Sequence, residues 1–316
     1  MPEDPESMGA PPPDSETWES ARPVPKLAPG LYLVATPIGN LGDITLRALD
    51  VLRAVDRIAC EDTRQTQKLL NHFQIEKKTV SCHQHNEHSR AEELIQNIKA
   101  GTAVAFVSDA GTPGVSDPGS WLVREAIAAG VPVFPIPGAS AAISALIASG
   151  LPADEFQFIG FLPEKAGARR TRLEKIAAVE RDTPTTLIFY EAPHRILETL
   201  LDIETIFGSP LNAVVARELT KLHEEFIRGT VAEVRQSLAS RDRVRGEITV
   251  VLELPAHDAS QTGAAISNEK ISARVARMIS ENSVDEKEAL KRLARELGRS
   301  KSELYRELQR ERAAKR

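Results

Sequence analysis

Cysteine is nearly absent from this sequence: two occur in 316 residues, Cys60 and Cys82, 22 positions apart and without CxxC spacing. That excludes a disulfide framework and a cysteine zinc cage, and it fits a reducing, cytoplasmic setting. No apolar run approaches the ~18 residues that cross a bilayer. The N-terminus also lacks the basic start and apolar stretch of a secretory signal, so neither a membrane nor a secreted protein is expected. Excess positive charge is missing too: 40 Lys and Arg stand against 45 Asp and Glu, a formal charge of −5. The whole chain is therefore no basic nucleic-acid coat, although a local basic patch is compatible with it. GxGxxG and the Lys-bearing P-loop are absent, which removes the main support for dinucleotide and NTPase readings. What remains is ordinary globular composition, 41% hydrophobic and 27% charged, in a chain long enough for about two domains.

Residues 1–26 hold seven of the 20 prolines and six acids against two bases, the composition of a disordered leader. Beyond them, apolar runs at 31–34, 58–59, 104–107 and 131–134 read as buried strands. Stretches 45–54, 90–100, 119–129 and 140–148 read as helices. After Gly150-Leu151-Pro152 a second strand set follows at 157–161, 185–190, 211–216 and 246–253. The expected fold class is α/β with an at least partly parallel sheet: one α/β domain over 27–149, a second over 150–255, and a small-ligand cleft between them. A polar linker over 256–268 leads to a helical tail, 269–316, whose segment from Ala289 to Leu308 has helix-turn-helix spacing. Residues 285–316 carry eleven Lys and Arg against seven acids, which suits either a solvated tail or a contact with nucleic acid or another partner.

Several polar segments fall at strand ends. Ala35-Thr36-Pro37-Ile38-Gly39-Asn40-Leu41-Gly42-Asp43 is a glycine-rich strand-to-helix turn. It could receive a phosphate, but Pro37 removes a donor, and a tight packing turn is the plainer reading. Ser108 to Gly119 concentrates glycines, prolines, hydroxyls, Asp109 and Asp117 after a very apolar strand, which suits a polar small molecule. The turn 137–141 has side chains small enough for a ligand to press onto backbone. Dense clusters at 189–195 and 216–221, with Thr249 nearby, could meet across one cleft. His83, His85 and His88 suggest a metal, but their spacing fits neither HExxH nor a finger, so a polar, substrate-contacting loop is preferred and no metal is expected.

Taken in order, seven motifs resemble those of one family: Leu-Val-Ala-Thr-Pro-Ile-Gly-Asn-Leu-Gly-Asp-Ile-Thr (33–45), Glu-Asp-Thr-Arg (61–64), His-Gln-His-Asn-Glu (83–87), Ser-Asp-Ala-Gly-Thr-Pro (108–113), Pro-Gly-Ala-Ser-Ala (137–141), Glu-Ala-Pro-His-Arg (191–195) and Ala-Arg-Glu-Leu-Thr-Lys (216–221). This is the tetrapyrrole-methylase-like family of S-adenosylmethionine-dependent methyltransferases, and the likeness is closest to its branch that methylates ribosomal RNA. The resemblance spans about 30–253 and extends to the tail. It implies two α/β domains with S-adenosylmethionine in the cleft between them, and a homodimer. It further implies 2′-O-methylation of a cytidine ribose in the decoding region of the small ribosomal subunit's 16S RNA. Tetrapyrrole-methylating relatives carry a Gly-x-Gly-Pro-Gly first turn where this chain has Ala35-Thr36-Pro37-Ile38-Gly39. That favours RNA, with a tetrapyrrole or another small or protein acceptor as the alternative.

Carried over by position, the resemblance implies cofactor contacts at Asp109, Gly111, Thr112, Pro113, Gly138, Ala139, Ser140, Ala141, Tyr190, Glu191, Ala216 and Thr249. The Gly-Asp-Pro core of relatives reads Gly111-Thr112-Pro113 here, which passes the carboxylate's part to Asp109. Glu61, Asp62 and Glu218 are candidates for accepting the hydroxyl proton, as is Lys221 if burial lowers its pKa. Arg64, His83, Asn86, Arg195 and Arg217 are the RNA-contact candidates, the guanidinium groups because they grip phosphate bidentately.

Overall fold

The computed structural model describes residues 26–83, 86–256, 271–282, 285–296 and 301–313. The expected leader and linker, with His85, lie almost wholly outside the described residues. The chain divides into two compact units, one made of Met1–Val179 with Pro184–Pro255 and the other of Glu180–Thr183 with Ala256–Arg316.

The first unit holds two five-stranded sheets. β1 (Gly30–Val34), β2 (Arg57–Cys60), β3 (Thr79–Ser81), β4 (Ala103–Val107) and β5 (Val133–Ile136) form a sheet of order β3-β2-β4-β1-β5, and every pairing in it is parallel. Such a sheet needs helices on both faces, and alternation along the strands supplies both contact surfaces. Tyr32, Val34, Ile58, Cys60, Ala105 and Val107 pack on one side with Leu49 and Leu52 of α1 (Leu46–Ala54) and Leu70 of α2 (Thr63–His72). Leu31, Ala59, Val104 and Phe106 pack on the other with Leu94 and Ile98 of α3 (Glu87–Lys99) and Leu122 of α4 (Ser120–Ala128). The two cysteines join opposite clusters, which is why both remain free.

α5 (Ala141–Ser149) follows β5 but packs against the second sheet. That sheet runs β6 (Phe156–Phe161), β7 (Thr185–Glu191), β10 (Ile248–Leu254), β8 (Asn212–Arg217), β9 (Glu225–Thr230) in spatial order. Only β6 and β7 are parallel; the other pairings are antiparallel. α6 (Ala166–Ala177), α7 (Ile196–Phe207) and α8 (Val231–Ala239) close one face through Leu173, Ile176, Leu200, Ile203, Val234 and Leu238. Ala142, Ala145 and Leu146 of α5, with Ile38, pack on Ile188, Val214 and Val251 of the other face. Side chains from both halves thus share one core, and the cleft opens where they meet.

The second unit contains α9 (Ile271–Asn282), α10 (Glu286–Glu296) and α11 (Lys301–Ala313). Ile271, Val275, Leu290, Leu293, Leu304 and Leu308 form its core. Lys291, Arg292, Tyr305 and Arg306 are exposed. Among the described residues, no helix is long and apolar enough to cross a membrane.

Candidate active site

The strand order reverses between β4 and β1, because the chain moves from β1 outward past β4 to β2 and later from β4 across β1 to β5. In an open α/β sheet ligands bind at such a point, outside the carboxyl ends of the strands. Here the ends carry the turns after β1, β4 and β5. Thr36 and Gly111 lock the first two together: Thr36 N donates to Gly111 O (2.9 Å) and Gly111 N to Thr36 O (3.0 Å). Thr112 Oγ1 donates to Ala139 O (3.2 Å), fixing the second turn to the third. Strain collects around this mouth. Ser116, Glu218 and Thr220 sit at φ 64, 52 and 64, the left-handed region that a residue with a Cβ enters at a cost. Gly246 is needed opposite, at φ +89, where a Cβ would stand 2.4 Å from Glu218 Cγ.

The cleft between the halves has a volume of about 360 Å³, within the range of small-molecule sites. Ile38, Val115, Phe161, Tyr190, Leu219 and Ile248 make it largely apolar, and Thr112, Ser140 and Thr249 add hydroxyls. Tyr190 meets Phe158 and Phe161 edge-on, with ring centroids 5.0 and 5.6 Å apart. The described lining includes three carboxylates, Asp117, Glu191 and Glu247, and no Lys or Arg. Glu191 is paired with Arg195 and Glu247 with Lys221, so the lining carries no excess positive charge, which disfavours a phosphorylated ligand and suits a flat, partly apolar body beside Asp117. Burial raises the Asp117 pKa, a hydrogen bond from Ser108 lowers it, and the neighbouring Asp109 raises it again, leaving it above the usual carboxylate value.

A second cavity, of about 690 Å³, adjoins the first through Ile38, Ala110 and Glu247, which line both. Its other walls include Thr36, Gly39, Leu41, Gln65, Thr66, Lys68, Asp109 and Lys221. Asp109 Oδ1 accepts a hydrogen bond from Asp62 N (3.1 Å), tying the ends of β4 and β2. Glu61, beside it, is raised in pKa by burial and then by the charges of Asp109, Asp117 and Asp62.

The structure brings Gly111, Thr112, Ser140, Ala141, Tyr190, Glu191 and Thr249 to the first cleft and Asp109 to the second. Pro113, Gly138, Ala139 and Ala216 do not line either. Ala139 supplies the carbonyl that Thr112 uses, and Ala216 lies in the core beneath α5. Glu191 is buried, and both its oxygens are engaged behind the cleft wall: Oε1 accepts from Ala192 N (2.7 Å) and Arg195 Nε (2.8 Å), Oε2 from Thr199 Oγ1 (2.7 Å).

The remaining expected residues have these contacts. Arg195 is held by Glu191 and the Leu162 carbonyl. Arg217 is held by Glu225 (3.1 Å) and the carbonyls of Arg245 and His223. Both guanidiniums are engaged by partners within the chain. Asn86 Oδ1 accepts from His83 N (2.8 Å), and its Nδ2 donates to Ser81 O (3.3 Å), so it builds the turn before α3; His83 is partly buried in that turn. Asp62 caps α2 through Arg64 N (2.8 Å) and pairs with the exposed Arg64 side chain (3.0 Å). Lys221 donates to Glu218 and Glu247, both at 2.9 Å. Burial lowers its pKa, but these two bonds outweigh that and leave it raised, so Lys221 is an ammonium and not a base. Glu218 is lowered by the same bond and by the Glu247 amide.

Ile38 and Leu219 stand in candidate segments without a role of their own, and Phe161 and Glu247 are expected at no site. The first turn's motif did contain Ile38, but spacing alone could not say that it reaches across to the second half.

The sequence and the fold are similar to those of known proteins. The family model for tetrapyrrole (corrin/porphyrin) methylases matches residues 30–235. The chain belongs to the tetrapyrrole methylase family. Curated relatives of this chain include the ribosomal RNA small subunit methyltransferase I of Halalkalibacterium halodurans, 52% identical over 223 residues, which are 71% of this chain and 75% of the relative. The protein of the same name from Vibrio cholerae is 52% identical over 230 residues, 72% of this chain and 78% of the relative. Among solved structures, the uroporphyrin III C-methyltransferase of Thermus thermophilus superposes with a TM-score of 0.50 at 20% identity, covering 70% of this chain and 96% of its own. A diphthine synthase gives 0.51 at 19%, covering 70% and 89%. These last two likenesses are of fold.

Proposed function

We propose that this methyltransferase uses S-adenosylmethionine to methylate the 2′-oxygen of a cytidine ribose in the 16S RNA of the small ribosomal subunit. The observation that carries the reading is the pair of joined cavities, one acidic and apolar, the other polar and open. The relatives' name supplies the RNA class.

The residues present suit the cofactor. Phe161, Tyr190, Ile38 and Leu219 offer apolar surface for an adenosine, Thr112, Ser140 and Thr249 offer hydroxyls, and Asp117 and Glu247 face positive charge. S-adenosylmethionine supplies, when bound, a methyl group carried on a positively charged sulfur. The protein's own part is mainly positioning, because holding an acceptor in line substitutes for the entropy of a bimolecular encounter. The 2′-hydroxyl must also lose a proton. We assign its acceptance to the carboxylate group at the ends of β2 and β4, where Asp109 lines the second cavity and Glu61, raised in pKa by burial and by its acidic neighbours, stands beside it. Lys221, an ammonium between two carboxylates, holds Glu218 and Glu247 at the junction of the cavities.

The exposed cations of the second unit, Lys291, Arg292 and Arg306, serve as sequence-independent phosphate contacts in this account. We further propose a cytoplasmic homodimer. Ile143 and Ile147, 43% and 74% exposed on α5, give it an apolar surface to cover.

The test is incubation with methyl-labelled S-adenosylmethionine and three acceptors: small subunits lacking the modification, their naked RNA, and uroporphyrinogen. Label in RNA alone is expected. Label in the tetrapyrrole alone overturns the reading.

A further inference from the structure

β6 is the edge strand of the second sheet, and α6 follows it after a short turn, Leu162 to Lys165. Arg169, Leu173 and Ile176 are the buried side chains of α6 and, at about 100° per residue, define its inner face. One flank of that face meets α7. There Arg169 Nε and Arg170 Nε donate to the two oxygens of buried Asp202, at 2.7 and 2.6 Å, and Glu198 takes Arg169 Nη2 at 3.5 Å. Glu174 falls on the same flank, and its charge acts on Arg170. By the same spacing the opposite flank holds Lys165, Ala168, Arg172 and Lys175, all exposed. No acid of α6 lies there. Among the described residues, no hydrogen bond or ion pair engages the Lys165, Arg172 or Lys175 side chain, and Glu164, in the turn before Lys165, pairs with none of them.

The charges of α6 are therefore sorted: the flank against α7 is neutralised within the chain, and the outer flank is a row of cations of one sign. Such a row repels itself and gains nothing from the fold, so its complement is an anion outside the chain. Its place is equally specific. Phe161, the last residue of β6, lines the cofactor cleft, as do Ala192 and Pro193. Arg195 Nη2 donates to Leu162 O at 3.2 Å, tying the turn before Lys165 to the turn that holds Ala192 and Pro193. The row thus starts beside the cleft mouth and leads away from it over about 15 Å, and Asp202 fixes its orientation through Arg169 and Arg170. Between the cations stands only Ala168, with no large apolar side chain to enter a lipid surface or a protein groove. A row of Lys and Arg is what the repeating phosphates of a nucleic-acid strand meet.

We propose that the outer flank of α6 is a phosphate track, along which the RNA adjoining the target nucleotide lies while that nucleotide enters at the cleft mouth. The proposal rests on the RNA methyltransferase reading above and adds to it a surface, within the methylating unit itself, that takes the substrate's backbone. Contacts of this kind set the register and direction of the strand and are indifferent to its bases.

The full-length variants Arg172→Gln/Lys175→Gln and Lys165→Gln/Arg172→Gln/Lys175→Gln are compared with the wild type and with Lys78→Gln/Lys99→Gln, which removes two exposed cations near the amino ends of β3 and β4, away from the cleft. Binding to unmethylated small subunits is followed between about 50 and 200 mM salt, beside S-adenosylhomocysteine affinity and melting temperature. Each lost phosphate contact is expected to make the salt dependence shallower by about one, hence by about two in the double variant and about three in the triple, with binding weakened roughly tenfold or more. The control pair should stay within about twofold of the wild type, and cofactor affinity and melting temperature should hold in every variant, because these side chains are exposed and unpaired. Cys60 and Cys82 are buried, so an Arg172→Cys variant accepts a photocrosslinker at its new thiol, and crosslinks to 16S RNA are expected. Crosslinks to ribosomal protein alone overturn the track, as do wild-type slope and affinity in the triple variant or an equal loss in the control pair. If the wild type binds S-adenosylhomocysteine yet labels no RNA, the RNA reading falls and the track with it. If the wild type labels RNA and the variants bind it as the wild type does, only the track falls.

Discussion

Glu87 is the last residue of the His-Gln-His-Asn-Glu motif, and it works at a distance from the sequence around it. Its Oε1 accepts from Gly119 N (3.0 Å) and Leu122 N (3.2 Å), first-turn donors of α4. Gly119, the N-cap, has no side chain to do this, and none fits: at φ +120 a Cβ would lie 2.5 Å from the Phe106 ring. A buried carboxylate from α3 therefore pins the far end of the segment whose Gly111, Thr112, Val115, Ser116 and Asp117 line the cofactor cleft. Glu87→Ala leaves two buried amides unpaired, at about 1–3 kcal/mol each, or roughly 3 kcal/mol after partial rehydration. A loosened segment must be ordered again on binding, so the same ~3 kcal/mol corresponds to cofactor affinity lower by up to about 100-fold. Glu87→Gln retains an acceptor oxygen and should recover most of it. Calorimetric titration with S-adenosylhomocysteine, beside thermal melting of each variant, checks this. Affinity within about twofold of wild type in Glu87→Ala, with a lowered melting temperature, would refute the link to the cleft and leave only a helix cap.

Other consequences concern charge. Glu225 is held at about 2 by Arg241, with burial opposing and Arg217 assisting. Its depressed pKa contributes stability above its ordinary value near 4.5 that is lost as pH falls toward 2. Because it is a third exposed, solvent screening leaves about 1–2 kcal/mol. Glu225→Gln should lose that amount at pH 7 and match the wild type near pH 2 in denaturant titrations. Glu61→Gln should slow single-turnover methylation by roughly 10²-fold or more and abolish an acidic limb displaced upward from the ordinary carboxylate range. Lys221→Met should leave the alkaline side of that profile unchanged, since Lys221 carries its proton throughout. Deleting 257–316 should weaken subunit binding more than S-adenosylhomocysteine binding; equal loss of both would argue for a structural role of the tail.

Much of the first sheet is legible in the sequence because its strands are continuous apolar runs, as a sheet covered on both faces requires. Ala103–Val107 is buried throughout. β3 and β9 are harder to see: Thr79–Ser81 is three residues long, and Glu225–Thr230 at the sheet edge is half-buried and charged. The second sheet's antiparallel pairings depend on tertiary placement that periodicity does not encode. At the site, the glycine-rich turns announce themselves because backbone approach demands glycine. Partnerships between distant carboxylates and cations do not. Arg217 looks available from spacing, and the β8–β9 pairing brings Glu225 to it, whereas Arg195 meets Glu191 within its own motif, four residues back. Lys68, by contrast, sits in no conspicuous motif, and the cavity alone draws notice to it.

The most direct test of the central claim is the chemical position of the transferred methyl group. Small subunits lacking the modification are incubated with the protein and methyl-labelled S-adenosylmethionine, and the RNA is then hydrolysed in alkali. The account predicts label in a single alkali-resistant dinucleotide with cytidine at its 5′ side, since 2′-O-methylation blocks cleavage there. Label released with an alkali-sensitive mononucleotide, or none in RNA while S-adenosylhomocysteine binds normally, would contradict it.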